Sequence, residues 1–174
     1  FDASPSVNAA RLVDVCHVVS GFAFKSEDFC AGGVPVVKIA NVGYGEFVWK
    51  DQQHLPRAFL SRYANFQVRP GDVLLALTRP VTEGTLKVCC YPDDAPLALL
   101  NQRVALLRTE SRGDARYLLA QMRSPAFKRQ VLDAVSQTLQ PNLSPVQLKG
   151  FSIRWPAKCC RSTVAAEVDR HLSI

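Results

Sequence analysis

Residues 66–90 read F-Q-V-R-P-G-D-V-L-L-A-L-T-R-P-V-T-E-G-T-L-K-V-C-C, and this stretch decides the fold. Arg69-Pro70-Gly71-Asp72 has turn chemistry: proline presets one backbone angle and glycine tolerates the next. Val73 to Leu77 is an apolar run too short for a helix and too apolar for an exposed strand, so it reads as a strand buried on both faces. It delivers the chain into Thr78-Arg79-Pro80-Val81-Thr82-Glu83-Gly84, a loop of hydroxyls, a guanidinium and a glycine. Thr85 to Cys90 then returns as a second strand carrying Lys87. The whole is a buried hairpin with a polar, basic loop at its end, and loops on rigid scaffolds are where binding concentrates. Taken alone, the same residues also fit an ordinary surface hairpin.

Outward from the hairpin, the chain has the length for one domain with a real core, at 174 residues. Its composition, 48% hydrophobic and 21% charged, excludes general disorder. A net charge of +6 suits a polyanionic partner, although many proteins without one share it. The basic residues are dispersed, so any basic surface must be assembled by folding. No apolar stretch approaches the length of a membrane helix. The first residues lack the basic and apolar regions of a signal peptide, and residues 1–10 read as a linker. Six cysteines include the adjacent pairs Cys89-Cys90 and Cys159-Cys160, poor spacing for intrachain disulfides or for zinc. They read as reduced thiols of an intracellular, cytoplasmic protein.

Before the hairpin, Arg11 to Cys16 reads as a helical turn with Leu12, Val13 and Val15 inward, and His17 to Ser20 as a strand ending at Gly21. Phe22 and Phe24 then bracket a loop ending at Lys25, either as plain core anchors or as struts that rigidify an anion-reaching lysine. Val34 to Ala40 reads as a strand that includes Lys38. The turn-rich 41–47 segment holds Tyr44, and Pro56 opens a helix over 57–65 with Phe59 and Tyr63 on one face. Beyond the hairpin, Leu97 to Leu100 and Arg103 to Arg108 read as strands. Asp114 is placed to cap a helix over 115–122. Ser124-Pro125 opens a helix to about Ser136, with Phe127, Val131 and Val135 as its buried stripe. Gln137 to Asn142 is a polar loop, and Ser144-Pro145 starts a short helix that Gly150 ends. Phe151 to Trp155 is a last strand. From Ser162, Val164, Val168 and Leu172 recur at helical spacing.

Catalytic signatures are missing. No glycine-rich phosphate loop and no cofactor motif is present. Pro92-Asp93 lacks the downstream acidic-x-Lys partner of a nuclease metal site. Cys16 and His17 would face opposite ways on a strand, and histidines at 17, 54 and 171 have no metal spacing. Neither a catalytic residue, a metal nor a cofactor is expected. Donor-bearing loops fit binding better: Lys25; then Thr78, Arg79 and Thr82; then Gln140 and Asn142. Arg and Lys suit phosphates and guanine, while Asn and Gln match adenine. Each loop could equally be a solvated turn.

Five segments in order carry a resemblance: S-G-F-A-F-K-S (20–26), G-G-V-P-V-V-K-I-A-N-V (32–42), V-R-P-G-D-V-L-L-A-L-T-R (68–79), N-Q-R-V-A-L-L (101–107) and T-L-Q-P-N-L-S-P-V-Q-L-K (138–149). Together they resemble the specificity subunits of type I restriction–modification systems. The resemblance implies one target recognition domain over residues 11–157 and, over 158–174, the start of a conserved spacer helix. Where that family has a Glu-Gln-Arg stretch, this chain has Lys158-Cys159-Cys160-Arg161. The implied fold is α/β (α+β): a bent, mostly antiparallel sheet with helices packed around it. The implied role is non-catalytic reading of half of a bipartite site on double-stranded DNA. Methyltransferase (modification) subunits, a restriction or translocase subunit and a second recognition domain, joined by linkage or dimerisation, are the implied partners. Lys25, Lys38, Tyr44, Thr78, Arg79, Thr82, Lys87, Arg103, Gln140 and Asn142 are the expected DNA contacts. A protein-interaction module, or a fragment of a methyltransferase or nuclease, stands as the alternative.

Overall fold

The computed structural model describes residues 8–136 and 141–172. In chain order the strands and helices are β1 (Ala9–Arg11), α1 (Leu12–Val15), β2 (His17–Ser20), β3 (Val34–Val37), β4 (His54–Leu55), α2 (Phe59–Arg62), β5 (Gln67–Val68), β6 (Val73–Ala76), β7 (Val81–Thr82), β8 (Thr85–Leu86), β9 (Val88–Cys90), β10 (Ala98–Leu100), β11 (Val104–Arg108), α3 (Arg112–Met122), α4 (Pro125–Ser136), α5 (Pro145–Gly150), β12 (Ser152–Arg154) and α6 (Lys158–Leu172).

The hairpin read from the sequence is the centre of the molecule. β6 is buried at every residue and lies inside a four-stranded sheet of order β2-β11-β6-β9, antiparallel throughout. Side chains alternate across a strand, and here each face has its own cover. Val73, Leu75 and Leu77 join Ala105 and Leu107 under Leu118 and Met122 of α3, Phe127 and Val131 of α4, and Leu148 of α5. Leu74 joins Cys89, Val104 and Leu106 against Val37, Val68, Tyr91 and Leu100, several of them from a second sheet of order β4-β3-β10-β5. That second sheet contains one parallel pair, β3 with β10. Beyond it Phe24, Phe29, Phe59 and Tyr63 close the far face. The layers run helices, sheet, sheet, aromatic cover, which explains why β6 has no polar position.

Several boundaries differ from the sequence reading. The return strand is broken: β7 and β8 form a small ribbon around Glu83-Gly84, both with positive φ (50° and 74°), and the ladder to β6 resumes only at β9. Two successive left-handed residues give the tight turn that matches strand twist. Ser111, not Asp114, caps α3; its hydroxyl accepts from the Asp114 N–H at 3.2 Å. Val13 is 45% exposed, because a single turn of helix can bury only Leu12 fully. β3 stops at Val37, since the Asn41 side chain accepts the Lys38 N–H at 2.8 Å and folds 39–41 into a 3-10 turn. β1 reaches back to Ala9 and pairs with β12.

α6 starts at Lys158, one turn before the periodic stripe counted from Ser162. Arg161 explains its position. Its guanidinium donates to Asp114 at 2.7 Å and to the Pro156 carbonyl at 2.6 Å, and it lies 4.5 Å over the Trp155 ring. Ala165, one turn on, is buried, whereas Val164 is 40% exposed. Among the described side chains the inward face of α6 is therefore Arg161–Ala165, with Val164 turned outward. Burial alone would raise the Asp114 carboxyl, but hydrogen bonds from Arg161 and Ser111 outweigh it and hold it below the usual aspartate range. No described helix is long and apolar enough to cross a membrane.

Candidate nucleic-acid interface

Strand direction gathers the predicted residues. β6 runs toward Thr78, β2 toward Gly21, and β3 and β10 run parallel toward Lys38 and Asn101. β9 and β11 run the opposite way, so Lys87 and Arg103, just before them, lie at the same end. Backbone hydrogen bonds tie these loops together. Leu77 N–H donates to Arg103 O at 2.9 Å, Arg79 N–H to Pro141 O at 2.8 Å, Lys87 N–H to Pro80 O at 2.8 Å, and Asn101 N–H to Val37 O at 2.9 Å. Thr78 forms an isolated bridge with Asn142. Gly21 is required here: a Cβ would sit 2.0 Å from Asn101 O.

Lys38, Thr78, Arg79, Lys87, Arg103 and Asn142 thus share one end of the molecule. Tyr44 joins them through a bridge to Val88, and Lys87 Nζ sits 5.8 Å above its ring. Thr82 is one residue from the Glu83-Gly84 turn in the same ribbon. Arg79 is exposed and left-handed, φ 46°, an unusual state for an arginine. Lys38 spends its ammonium on Gln53 Oε1 at 3.4 Å. Lys25 is not drawn in; it follows the aromatic cluster and pairs with Glu27 at 3.6 Å. Gln140 lies outside the described residues.

The structure adds two cations that sequence reasoning missed. Arg123, just past α3, packs against Gly45, and Lys128 on α4 donates to Gly84 O at 2.8 Å. The helix stripe 127, 131, 135 pointed attention inward, so Lys128 read as one more solvated residue. Among the described residues no carboxylate pairs with Arg79, Lys87, Arg103, Arg123 or Lys128. Glu46 and Glu83 lie in these loops, and among the described residues neither forms an ion pair.

The opposite end of the same sheet carries arginines too, and Arg108, Arg112 and Arg116 there pair with carboxylates. Asp72, almost fully buried, takes both Nε (2.8 Å) and Nη2 (2.6 Å) of Arg108 and also the Arg69 N–H. Arg112 and Arg116 flank Asp93 at 3.1 and 3.7 Å. The cleft there, between Arg69, Arg108 and Arg112, also holds Asp72 and Glu110. Among the described residues no group of histidine, cysteine and carboxylate side chains could hold a metal ion. Among the described residues no disulfide forms; Cys16 and Cys89 are buried so deeply that desolvation pushes their thiols up to about 12, the opposite of a reactive nucleophile.

The two-sheet scaffold thus clusters loop cations at one end, and comparison with known proteins shows what the chain resembles. No family model matches the sequence. Over 147 residues it is 33% identical to the type I restriction enzyme MjaVIII specificity subunit of Methanocaldococcus jannaschii, covering 84% of this chain and 35% of that protein. Over 95 residues it is 34% identical to the EcoAI specificity subunit of Escherichia coli, covering 55% of this chain and 16% of that one. Among solved structures, a type I restriction–modification assembly contains a chain superposing with a TM-score of 0.70 at 18% identity over 99% of this chain and 40% of that one. The HsdS subunit of Thermoanaerobacter tengcongensis gives 0.64 at 19% identity, over 98% and 38%. Both curated relatives are type I restriction enzyme specificity subunits, and the chain spans about a third of the length of the first of them.

Proposed function

We propose that this chain is a target-reading domain of a type I specificity subunit, binding half of a bipartite site on duplex DNA through the loop end of its β2-β11-β6-β9 sheet. One observation carries the proposal: among the described residues Arg79, Lys87, Arg103, Arg123 and Lys128 at that end have no carboxylate partner, while Arg108, Arg112 and Arg116 at the other end do. Lys and Arg on phosphates would set register, and Arg79, Asn142 and Thr78 stand where base edges could be read. Lys38, Tyr44, Thr82, Lys87 and Arg103 border them. Gln140 is proposed on sequence grounds, and Lys25 only as a remote phosphate contact. Catalysis would belong to the modification and restriction subunits that such a protein docks. α6, locked by Arg161, would fix the angle at which a second reader is held.

A single module buries roughly 600–1,000 Å² on DNA. Linking two raises affinity by roughly 10² to 10⁴ without new contacts here. Fluorescence anisotropy with a labelled duplex, titrated at several salt concentrations, tests the function. Binding that falls steeply with salt is expected. Failure to bind any duplex at low salt would contradict it and favour a protein-docking module.

A further inference from the structure

The junction of α3 and α4 faces the β7–β8 ribbon across a cleft of about 230 Å³ lined by Tyr44, Gly84, Thr85, Leu86, Arg123 and Lys128. No carboxylate lines it. Arg123 is seated in an unusual way. A Cβ built on Gly45 would lie 3.2 Å from its Cζ and 3.3 Å from each Nη. Near-equal distances to all three atoms mean that the guanidinium lies flat on the glycine. One face of the guanidinium then lies over the glycine, and its N–H donors spread in the guanidinium plane as the fork that can match two oxygens of one phosphate. Gly45 has φ 104°, a conformation side chains rarely adopt, and any side chain would also displace the guanidinium. Lys128 closes the opposite wall, using one donor on Gly84 O at 2.8 Å and keeping two. Lys87, above the Tyr44 ring, adds charge at the edge without entering.

We propose that this cleft is a phosphodiester site: Arg123 grips one backbone phosphate through its fork, and Lys128 supplies the second charge. The inference rests on the DNA-reading function above and deepens it, by separating a sequence-blind anchor on the helices from the reading loops at Thr78–Arg79 and Asn142. An anchor beside the Glu83-Gly84 turn would set the register in which Arg79 meets the bases.

The test uses the purified chain, a pool of randomised labelled duplexes, and salt titrations of wild type, Arg123→Ala, Arg123→Lys, Lys128→Gln and the double variant Arg123→Ala/Lys128→Gln. Circular dichroism checks that each variant is folded. Lys128→Gln alters only an exposed contact to Gly84 and keeps the test decisive if the Arg123 variants fold poorly. The double variant should bind about tenfold or more weakly at low salt, on every sequence alike. Its slope of log K against log salt should be shallower by about 0.9 for each phosphate that is no longer neutralised. Arg123→Lys should recover the slope but not the full affinity, because an ammonium has no fork. The selected sequence preference should not move. An unchanged slope in a folded variant would overturn the phosphate site while leaving DNA reading intact. A changed preference at one base pair would also overturn it, making the cleft a base reader. If wild type binds no duplex, the functional reading fails first and this site with it.

Discussion

The two ends of the β2-β11-β6-β9 sheet are built from the same residue types to opposite effect. At the Asp72 end, arginines meet carboxylates: Arg108 forms a short, partly buried pair with Asp72 that closes the turn before β6, and Arg112 forms an exposed pair with Asp93 at the start of α3. At the Thr78 end, arginines and lysines stand on loops held by backbone hydrogen bonds, with no acidic partner among the described residues. An arginine that satisfies a buried carboxylate braces the fold; an exposed, unpaired one stays hydrated and keeps its field for a ligand. The difference teaches that net charge, +6 over the chain, says little until the neutralised cations are subtracted.

That contrast can be broken from either side. The largest effect is expected from Arg108→Ala, which strands the buried Asp72 carboxylate; losing one partner of such a pair costs about 3 kcal/mol or more. Urea unfolding should show the loss, and DNA affinity per folded molecule should barely change. At the other end, Arg79→Ala should leave stability nearly intact and weaken binding by about 1–3 kcal/mol, relaxing preference at one position. Arg79→Gly sharpens this further. It removes the same side chain but relieves the left-handed backbone, so stability should rise by about 0.5–1 kcal/mol while binding falls. Selection from randomised duplexes and thermal melts read the two effects separately.

A smaller effect concerns α6. The Asp114 carboxyl is held below its unfolded value, so its pair with Arg161 contributes fully above about pH 4. Its contribution is lost as pH falls through the depressed folded value. Hydrogen exchange in α6 should therefore speed up under acid before the β6 ladder loosens, and Asp114→Asn should abolish that pH dependence. The smallest expected effect is none: a reducing agent should leave Tm unchanged, where a structural disulfide would contribute about 2–4 kcal/mol.

Much of the fold was legible because it rests on local signals. The Pro70-Gly71 turn, the apolar β6 run, the Ser-Pro helix starts at 124 and 144, and the stripe Phe127–Val131–Val135 each announce themselves within a few residues. What was illegible depended on pairing across the chain. Nothing local says that Thr85 to Cys90 breaks at Lys87, that Ser111 outcompetes Asp114 as a cap, or that Arg161 rather than Ser162 anchors α6. The candidate site divides in the same way. Thr78, Arg79 and Asn142 could be picked out as polar loop residues, but their meeting is a product of strand order. Arg123 was invisible because its role depends on Gly45, far away in the chain and brought under it only by folding.

The most direct test compares the two ends in one experiment. Salt-dependent duplex binding is measured for wild type, for Arg79→Ala/Arg103→Ala at the unpaired end, and for Arg112→Ala/Arg116→Ala at the paired end. Each pair removes the same formal charge. The unpaired-end variant should lose affinity, and its slope should become shallower by up to about 0.9 for each phosphate it can no longer neutralise. The paired-end variant should match wild type in both. Equal losses from the two variants, or a larger loss from Arg112→Ala/Arg116→Ala, would contradict a DNA-binding face at the Thr78 end.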